Sequence, residues 1–184
     1  MVYIPTGKEL IDPFTLLQEA GVRSGMIVAD FGCGTVGHYV FPASKLVGPE
    51  GKVYAVDILK SVLSAITSRI KMESANNVET VWGDMERPNG IKLADGILDM
   101  AFLVNNLSGT TQREIMVKEC ARMVKHGGRM LLVDWKPTGI SFAPNPALKM
   151  SVDEAQKLAE SAGLVLEKTL SPGKYHYGLL LRKP

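Results

Sequence analysis

The sequence has few of the residues that build covalent or metal-bound scaffolds. Its 184 residues include only two cysteines, Cys33 and Cys120, and three histidines. Two cysteines so far apart in the chain exclude a disulfide framework and a cysteine-based zinc site, and free cysteines are usually buried. We therefore predict that both thiols are reduced and packed in the core, and that the protein holds no metal.

Long apolar runs and a strong charge of one sign are also missing. No stretch reaches the roughly 18 to 20 apolar residues that a membrane span needs, and the first residues lack the pattern of a signal peptide, which predicts a cytoplasmic protein without a membrane span. Lysine and arginine total 21 against 19 acidic residues, a formal net charge of +2. This balance neither requires nor excludes an anionic partner.

The sequence does contain a glycine-rich turn directly after an apolar run. Residues 27–31 are followed by Gly32, Gly34 and Gly37, which match the pattern GxGxxG. In this context Gly32 turns the chain out of a strand, Gly34 lets backbone N–H groups approach a ligand, and Gly37 lets the following helix pack closely. The stretch predicts a strand that leads into a nucleotide-binding loop.

Three successive predicted strands end in an aspartate. Asp30 ends the first run, and Asp57 stands twenty residues after Gly37 at the end of the second. Asp84 follows a third run, 78–82. A carboxylate at Asp57 suits hydrogen bonds to both hydroxyls of a ribose, and Asp84 is placed to accept from the exocyclic amine of adenine. Each aspartate alone also fits the N-cap of the next helix, although this explains all three together less well.

The order of the elements predicts an α/β fold. Strand-like runs alternate with helical patterns, as in a doubly wound parallel sheet with right-handed crossovers. The last two runs, 164–170 and 175–181, flank a Ser-Pro-Gly turn and predict an antiparallel hairpin. We predict a single domain, 1–184, in which segment 1–21 covers the sheet and segment 135–150, which carries three prolines, is a candidate lid.

Helix starts are predicted where a capping residue precedes a periodic apolar run. One is Asp12, which comes directly before a proline. Two later ones match the capping box, in which Ser or Thr precedes Glu by three residues: Thr111 with Glu114, and Ser151 with Glu154.

The glycine loop and the three strand-ending aspartates resemble the class I S-adenosylmethionine-dependent methyltransferases, in particular their small ubiquinone/menaquinone-biosynthesis-like group. Runs 97–106 and 119–134 resemble that family's fourth strand and its helix, glycine turn and fifth strand. The chain departs from the family in placing Val36 where a glycine is usual, one residue before Gly37. The resemblance implies a Rossmann-like, mostly parallel seven-stranded sheet with a C-terminal antiparallel hairpin, and S-adenosyl-L-methionine as the cofactor.

The resemblance also assigns residues to the parts of the cofactor. The glycine loop is expected at the methionine end with Asp30 near the amino group, Asp57 at the ribose, and Asp84 with Met85 at the adenine. Asn105 fits a contact to the cofactor and equally an ordinary turn residue at a strand end. The predicted cofactor-binding set is Asp30, Gly32, Cys33, Gly34, Gly37, Asp57, Ile58, Gly83, Asp84, Met85 and Asn105.

Catalytic and acceptor-binding residues are less sharply indicated. Methyl transfer mainly requires that the nucleophile and the methyl group be held in line, and a general base is needed only when the nucleophile holds its proton tightly. The catalytic candidates are His38 and Asn105, and His38 fits equally a solvent-facing or packed residue at a helix start. The substrate candidates Tyr3, Tyr39 and Trp135, with Ile4 and Phe142 nearby in the same segments, favour a small, partly apolar acceptor.

Three other functions fit part of the pattern. A nicotinamide-dependent oxidoreductase shares GxGxxG and an acidic residue, but Asp30, Asp84 and the terminal hairpin fit the methyltransferase better. An RNA methyltransferase is the second enzyme hypothesis, against which the basic residues count mildly because they form no stripe interleaved with aromatic residues. A partner subunit that keeps the methyltransferase fold without catalysis is the third alternative.

Overall fold

The structure, a computed structural model, describes residues 11–137 and 148–184. Seven strands lie within these ranges: β1 Ile27–Phe31, β2 Lys52–Asp57, β3 Val78–Trp82, β4 Leu98–Val104, β5 Val124–Trp135, β6 Val165–Gly173 and β7 His176–Arg182. They form one sheet in the order β3-β2-β1-β4-β5-β7-β6. Strands β1 to β5 pair in parallel, whereas β7 is antiparallel to both β5 and β6. The predicted α/β sheet and its C-terminal hairpin are confirmed.

Helices cover both faces of this sheet. The described ranges contain five α-helices and one short 3-10 helix: α1 Pro13–Glu19, α2 Val40–Val47, α3 Lys60–Glu73, the 3-10 helix Leu107–Gly109, α4 Arg113–Met123 and α5 Val152–Ser161. The buried side chains of α1, α2 and α3 belong to one apolar cluster, and those of α4 and α5 to another. The sheet is therefore doubly wound.

The central strands are apolar on both faces because each face packs against a helical layer. In β1, Val28 belongs to the cluster with α1, α2 and α3, while Ala29 and Phe31 belong to the cluster with α4 and α5. All three side chains have no exposed area. This is why β1 reads in the sequence as an unbroken apolar run rather than as an alternating one.

Two of the three predicted helix starts are confirmed and one is wrong. The Asp12 carboxylate accepts from Phe14 N at the start of α1, and Ser151 and Glu154 form a reciprocal capping box at α5. The pair Thr111 and Glu114 does not form, because α4 begins at Arg113 with Gln112 as its N-cap residue. The buried hydroxyl of Thr110 accepts from Gln112 N, at 2.9 Å.

The expected glycine turn before the fifth strand also differs from the structure. Gly127 and Gly128 lie inside β5, which begins directly after α4. The C-terminal residues explain the difference, because Gly127 N donates to Lys183 O at 2.8 Å and Lys183 N donates to Gly128 O at 2.9 Å. A long-range pairing thus extends the strand through a stretch that reads locally as a turn.

Several predictions fall partly or wholly outside the described residues. These include most of the lid segment 135–150, the first ten residues of the cover segment 1–21, and the candidates Tyr3, Ile4 and Phe142. In residues 11–137 and 148–184, no helix is long and apolar enough to cross a membrane, and no cluster of His, Cys, Asp and Glu is suited to a metal ion. The single-domain organisation and the cytoplasmic location stay predictions.

Both cysteines are buried and free, as expected from their number. Burial raises the pKa of the Cys33 thiol, and the nearby carboxyls of Asp30 and Asp57 raise it further. Burial likewise raises the pKa of Cys120, which lies on the buried face of α4. Both side chains therefore act as small neutral core groups.

Candidate functional site

The strand order reverses at the centre of the sheet, between β1 and β4. The chain proceeds from β1 outward to β3 on one side and from β4 outward to β5 on the other. In open α/β sheets, ligands bind in the crevice at the carboxyl ends of the strands where this reversal occurs. The parallel pairing of β1, β2 and β3 brings Asp30, Asp57 and Asp84 to this same edge.

The glycine loop after β1 is fixed by contacts to both neighbouring strands. Gly32 N and Cys33 N donate to Val56 O at 2.9 and 3.1 Å. Gly32 has a φ of +71°, and a Cβ atom there would lie 2.2 Å from Asn106 Oδ1. The Asn106 amide donates to Phe31 O, at the end of β1, at 2.9 Å. Only glycine fits this approach, which confirms the predicted sharp turn out of the strand.

Two backbone amides orient the Asp57 carboxylate. Its Oδ2 accepts from Gly34 N at 3.3 Å and its Oδ1 accepts from Leu59 N at 3.0 Å. The residue is 8% exposed, so the group lies at the surface of the crevice rather than in bulk water. Each carboxylate oxygen has further acceptor capacity, which leaves Asp57 able to accept from a bound hydroxyl.

Asp30 is the most perturbed acidic group of the site. It is only 2% exposed, and burial, with the nearby charge of Asp57, raises its pKa to about 8. Around neutral pH its carboxyl therefore carries a proton for much of the time. A buried carboxyl held in its neutral form is a candidate partner for an incoming positive charge.

None of the three aspartates is the N-cap residue of a helix, so the alternative interpretation of these residues as helix caps is wrong. The N-cap residues of α2 and α3 are Tyr39 and Leu59, and neither helix start has a side-chain cap. Asp84 is followed by an irregular loop, and its Oδ1 accepts from Glu86 N at 2.9 Å. Their place at the sheet edge is thus not explained by helix capping.

The outer part of the crevice is partly apolar. Ile58 follows Asp57 and is 49% exposed, and the neighbouring Trp82 is 50% exposed. The Trp82 indole donates to Ile58 O at 2.8 Å, which fixes the backbone beside the Ile58 side chain. Met85 is half-buried next to Asp84. An exposed apolar rim beside two carboxylates suits a flat heterocycle that carries polar groups.

Gly37 and Asn105 are held by packing and by backbone geometry. A Cβ atom on Gly37 would lie 2.9 Å from Phe41 Cε2 of α2 and 2.7 Å from Ile66 Cδ1 of α3, which agrees with the predicted close packing of the following helix. Asn105 has a φ of +59°, and its N–H donates to Val133 O at 2.8 Å. A left-handed conformation is uncommon for residues other than glycine but is tolerated by asparagine. Direct contacts of either residue to a cofactor stay predictions.

Tyr39 and Trp135 are more buried than expected for acceptor-contacting residues. They are 5% and 8% exposed, and the Trp135 ring packs on that of His176 with 4.0 Å between centroids. The Tyr39 hydroxyl and both His176 ring nitrogens have no hydrogen-bond partner in the described part of the chain. Burial, and secondarily Lys136, lowers the pKa of His176 to about 4, so its imidazole is neutral.

His38 faces a different space. It lines a cavity of about 280 Å³ between α1, the glycine loop and α3, together with Phe14, Val36 and Arg69. Its ring lies edge-on to Tyr39 at 5.5 Å between centroids. Its Nε2 is buried without a partner among the described residues. A role of His38 as a general base stays a prediction.

Two buried carboxylates that shape the site were not predicted from the sequence. Asp134, at the end of β5, accepts from Leu107 N at 2.8 Å and ties the 3-10 helix to the sheet. Glu119 of α4 accepts from two backbone amides of the loop after β3. Glu119 is an acidic residue on an otherwise apolar face of α4, which could have indicated a buried carboxylate. The residues adjacent to it in the sequence do not indicate its partners.

The doubly wound sheet with its terminal hairpin, the glycine loop and the row of carboxylates define a class I S-adenosylmethionine-dependent methyltransferase. The methyltransferase domain family matches residues 28–128, which is more than half of the chain, and the chain belongs to this family. Its cofactor is S-adenosylmethionine.

Individual relatives agree with this assignment. The chain is 34% identical over 160 residues to a ubiquinone/menaquinone biosynthesis C-methyltransferase from Pseudomonas fluorescens, a match that covers 79% of this chain and 61% of that one. A match to a demethylmenaquinone methyltransferase from Lactococcus lactis is 28% identical over 118 residues and covers 64% and 45%. The chain thus spans about half to three fifths of the length of these curated relatives.

A solved structure is similar over nearly its whole length. The S-adenosylmethionine-dependent methyltransferase from Aquifex aeolicus superposes with a TM-score of 0.89 at 28% identity, covering 98% of this chain and 94% of that one. The [4+2]-cyclase SpnF shares the fold with a TM-score of 0.78 at 14% identity, covering 93% and 79%. The second likeness concerns the fold alone.

Replacing Gly34 by alanine is expected to weaken S-adenosylmethionine binding at least tenfold with little loss of fold. Gly34 has a φ of +62°, and a Cβ atom there meets nothing within 4 Å, so the fold loses only the roughly 1 kcal/mol of a left-handed alanine. The added methyl group instead projects into open space where we expect the cofactor.

Gly163→Ala is the matched control, because Gly163 also has a positive φ and open space around it but lies between α5 and β6. Titration calorimetry and thermal unfolding of both variants make the comparison. Equal affinities in the two variants would contradict the placement of the cofactor against this loop.

Proposed function

We propose that this methyltransferase transfers the methyl group of S-adenosylmethionine to a ring carbon of a small, partly apolar acceptor of the quinol type. The similarity to quinone-biosynthesis C-methyltransferases carries the proposal. Since the chain spans only part of those relatives, the acceptor is argued in addition from the groups at the carboxyl edge of the sheet.

The residues present suit the cofactor. Open space at Gly34 admits a ligand against the loop backbone, and the neutral, buried Asp30 carboxyl becomes favourable to ionise when an ammonium group lies beside it. We assign Asp30 to the amino group, Asp57 to the two ribose hydroxyls, and Asp84 to the adenine amine. Bound there, S-adenosylmethionine supplies a methyl group on a cationic sulfur.

The acceptor side combines apolar surroundings with polar atoms that have no hydrogen-bond partner within residues 11–137 and 148–184. Trp135 and His176 face each other across the β5–β7 ladder. Because side chains alternate along a strand, they share the sheet face of Val133 and Leu180, which belong to the cluster of α1, α2 and α3. Tyr39 lies in the same layer. Buried hydroxyl and imidazole groups are nearly always hydrogen-bonded, so their unpaired atoms support an acceptor that carries ring hydroxyls on an apolar body.

The neutral imidazole of His176 fits the chemistry of such an acceptor. A ring carbon becomes more nucleophilic as the adjacent hydroxyl shares its proton in a hydrogen bond, and the neutral imidazole is able to accept that hydrogen bond. The buried, partly apolar surroundings exclude water from the reacting atoms. No covalent intermediate with the protein is required, because the chain needs only to align the acceptor with the methyl group.

Incubation with S-adenosylmethionine and a demethylmenaquinol that carries a short isoprenoid tail tests the proposal. We expect a product heavier by one methylene unit in mass spectrometry, with the new methyl group on the ring. A bulk RNA substrate serves as the comparison in a parallel reaction. Methylation of the RNA alone would favour the second enzyme hypothesis, and cofactor binding without transfer to either probe would favour a non-catalytic partner subunit.

A further inference from the structure

The loop between β3 and β4 is attached to helix α4 by a buried carboxylate. Glu119 of α4 is only 4% exposed. Its Oε2 accepts from Asn89 N at 3.0 Å and its Oε1 accepts from Ile91 N at 3.1 Å. Both donors belong to the returning limb of the loop that begins at Gly83.

Arg122 completes this attachment from one turn further along α4. Its guanidinium donates to both oxygens of Glu119, at 2.9 and 3.1 Å, and to the carbonyl oxygens of Ile91 and Leu93 at 3.1 and 3.0 Å. The Glu119 carboxylate therefore accepts four hydrogen bonds, which lower its pKa despite the opposing effect of burial. A charged, fully paired carboxylate is a rigid attachment point.

The two limbs of the loop are in direct contact, so the position of one limb determines that of the other. Gly83 and Ile91 form an antiparallel bridge, and Asp84 N donates to Gly90 O at 3.2 Å. A Cβ atom on Gly90 would lie 2.1 Å from Asp84 O. The limb that Glu119 holds is thus packed against the backbone of Asp84.

The Asp84 side chain is oriented inside the same loop. Its Oδ1 accepts from Glu86 N at 2.9 Å, and its Oδ2 lies 3.0 Å from Arg87 Nε. With these contacts and the fixed backbone, few conformations are left to the carboxylate. Both oxygens keep an acceptor site for a ligand amine.

We propose that Glu119 is a positioning residue for adenine recognition: by holding the returning limb at Asn89 and Ile91, it places the Asp84 carboxylate to accept from the adenine amine. The inference rests on the proposed assignment of Asp84 to that amine. It predicts that Glu119, which does not touch the cofactor, sets the preference for adenine over a purine that carries an oxygen in place of the amine.

Titration calorimetry with S-adenosylhomocysteine and S-inosylhomocysteine measures this preference as a ratio of dissociation constants. The second ligand has a carbonyl oxygen in place of the amine, so it presents an acceptor to Asp84 at the position where adenine presents a donor. We expect the wild-type protein to prefer the adenine compound about tenfold or more. In Glu119→Gln the ratio is expected to fall at least threefold, and Asp84→Asn is expected to bring it near one.

The matched control is Glu114→Gln, the same change on the same helix at an exposed ion pair with Lys118; its ratio should equal that of the wild type. A Glu119→Gln protein that binds both ligands more weakly by the same factor would overturn the positioning role, since a purely structural carboxylate gives that result. A wild-type or Asp84→Asn ratio that departs from expectation would instead refute the adenine assignment of Asp84, and the inference with it.

A second variant keeps the test informative if Glu119→Gln fails to fold. Arg122→Lys retains a positive charge beside Glu119 but cannot form the bidentate pair or reach the carbonyl oxygens of the loop in the same way. We expect it to lower the ligand ratio in the same direction. An unchanged ratio in a folded Arg122→Lys protein would contradict the inference.

Discussion

Replacing Asp57 by alanine is expected to weaken the binding of S-adenosylmethionine about 100-fold, because it removes the two charge-assisted hydrogen bonds that we propose between Asp57 and the ribose. The same change frees Gly34 N and Leu59 N, which the carboxylate holds in the unliganded protein. Water replaces it for these amides at the crevice surface, so thermal unfolding should shift much less than affinity does. Titration calorimetry with S-adenosylmethionine and S-adenosylhomocysteine provides the measurement.

A ligand without ribose hydroxyls separates the two roles of Asp57. For a 2′,3′-dideoxy analogue of S-adenosylhomocysteine, wild type and Asp57→Ala are expected to bind with similar affinity. A 100-fold difference in affinity that persists with this analogue would mean that Asp57 acts through the glycine loop rather than on the ribose.

Parallel titration with NAD tests the cofactor class, and we expect no binding of NAD to either protein.

Asp30→Asn is expected to change stability and cofactor affinity in opposite directions. Asp30 is buried with a pKa of about 8, so ionising it in the folded protein is unfavourable, and an uncharged amide of the same shape avoids this cost. The free energy of unfolding should rise by several kcal/mol at high pH, since one pKa unit corresponds to about 1.4 kcal/mol. S-adenosylmethionine should bind at least tenfold more weakly, because its ammonium group loses a charged partner.

The pH dependence identifies the carboxyl that is responsible. The pKa of Asp30 is higher in the folded protein than its ordinary value of 3.8, so the folded state binds more protons across this window. The contribution of Asp30 to the free energy of unfolding of the wild-type protein therefore falls as pH rises from about 4 through about 8. The difference between Asp30→Asn and wild type should be small at pH 4, grow with pH and level off above pH 8.

Urea unfolding at several pH values from 4 to 9 measures this difference. Asp153→Asn, which removes an exposed carboxyl from the first turn of α5, is the control and should show a small effect. If Asp30→Asn were less stable than wild type at pH 9, the carboxyl would be contributing a favourable ionised contact to the fold. A variant that is more stable than the wild type but binds the cofactor more weakly is the result expected when a binding residue destabilises the fold.

The sequence predicted those parts of the fold that depend on local pattern. The buried run before Gly32 marks β1 because the strand packs on both faces, and the glycine pattern itself requires a turn that only glycine accommodates. The aspartates at 30, 57 and 84 were predicted to meet because parallel strands place their carboxyl ends at one edge. The Ser151 capping box was predictable because all its atoms lie within four residues.

Features that depend on distant partners were wrongly predicted or missed. Thr111 matches the capping box as well as Ser151 does, but the helix begins one residue later, at Arg113, after Gln112 N has donated to the Thr110 hydroxyl. Gly127 reads as a turn until the C-terminal Lys183 pairs with it and extends β5. The acceptor contact expected of Trp135 stays a prediction, but its burial against His176 was missed because it depends on the pairing of β5 with β7.

The sequence by itself determined the glycine loop, because that loop follows from the spacing of residues within one strand-loop-helix unit. It also indicated the doubly wound sheet through the alternation of strand and helix patterns, and the class of cofactor through the resemblance to the methyltransferases. Only the tertiary structure decided the protonation of Asp30 and the attachment of the loop between β3 and β4 by Glu119. Both depend on burial and on groups brought together from separate elements. Burial and long-range partners set the free energy of a charge, and neither is encoded in the residues adjacent to it.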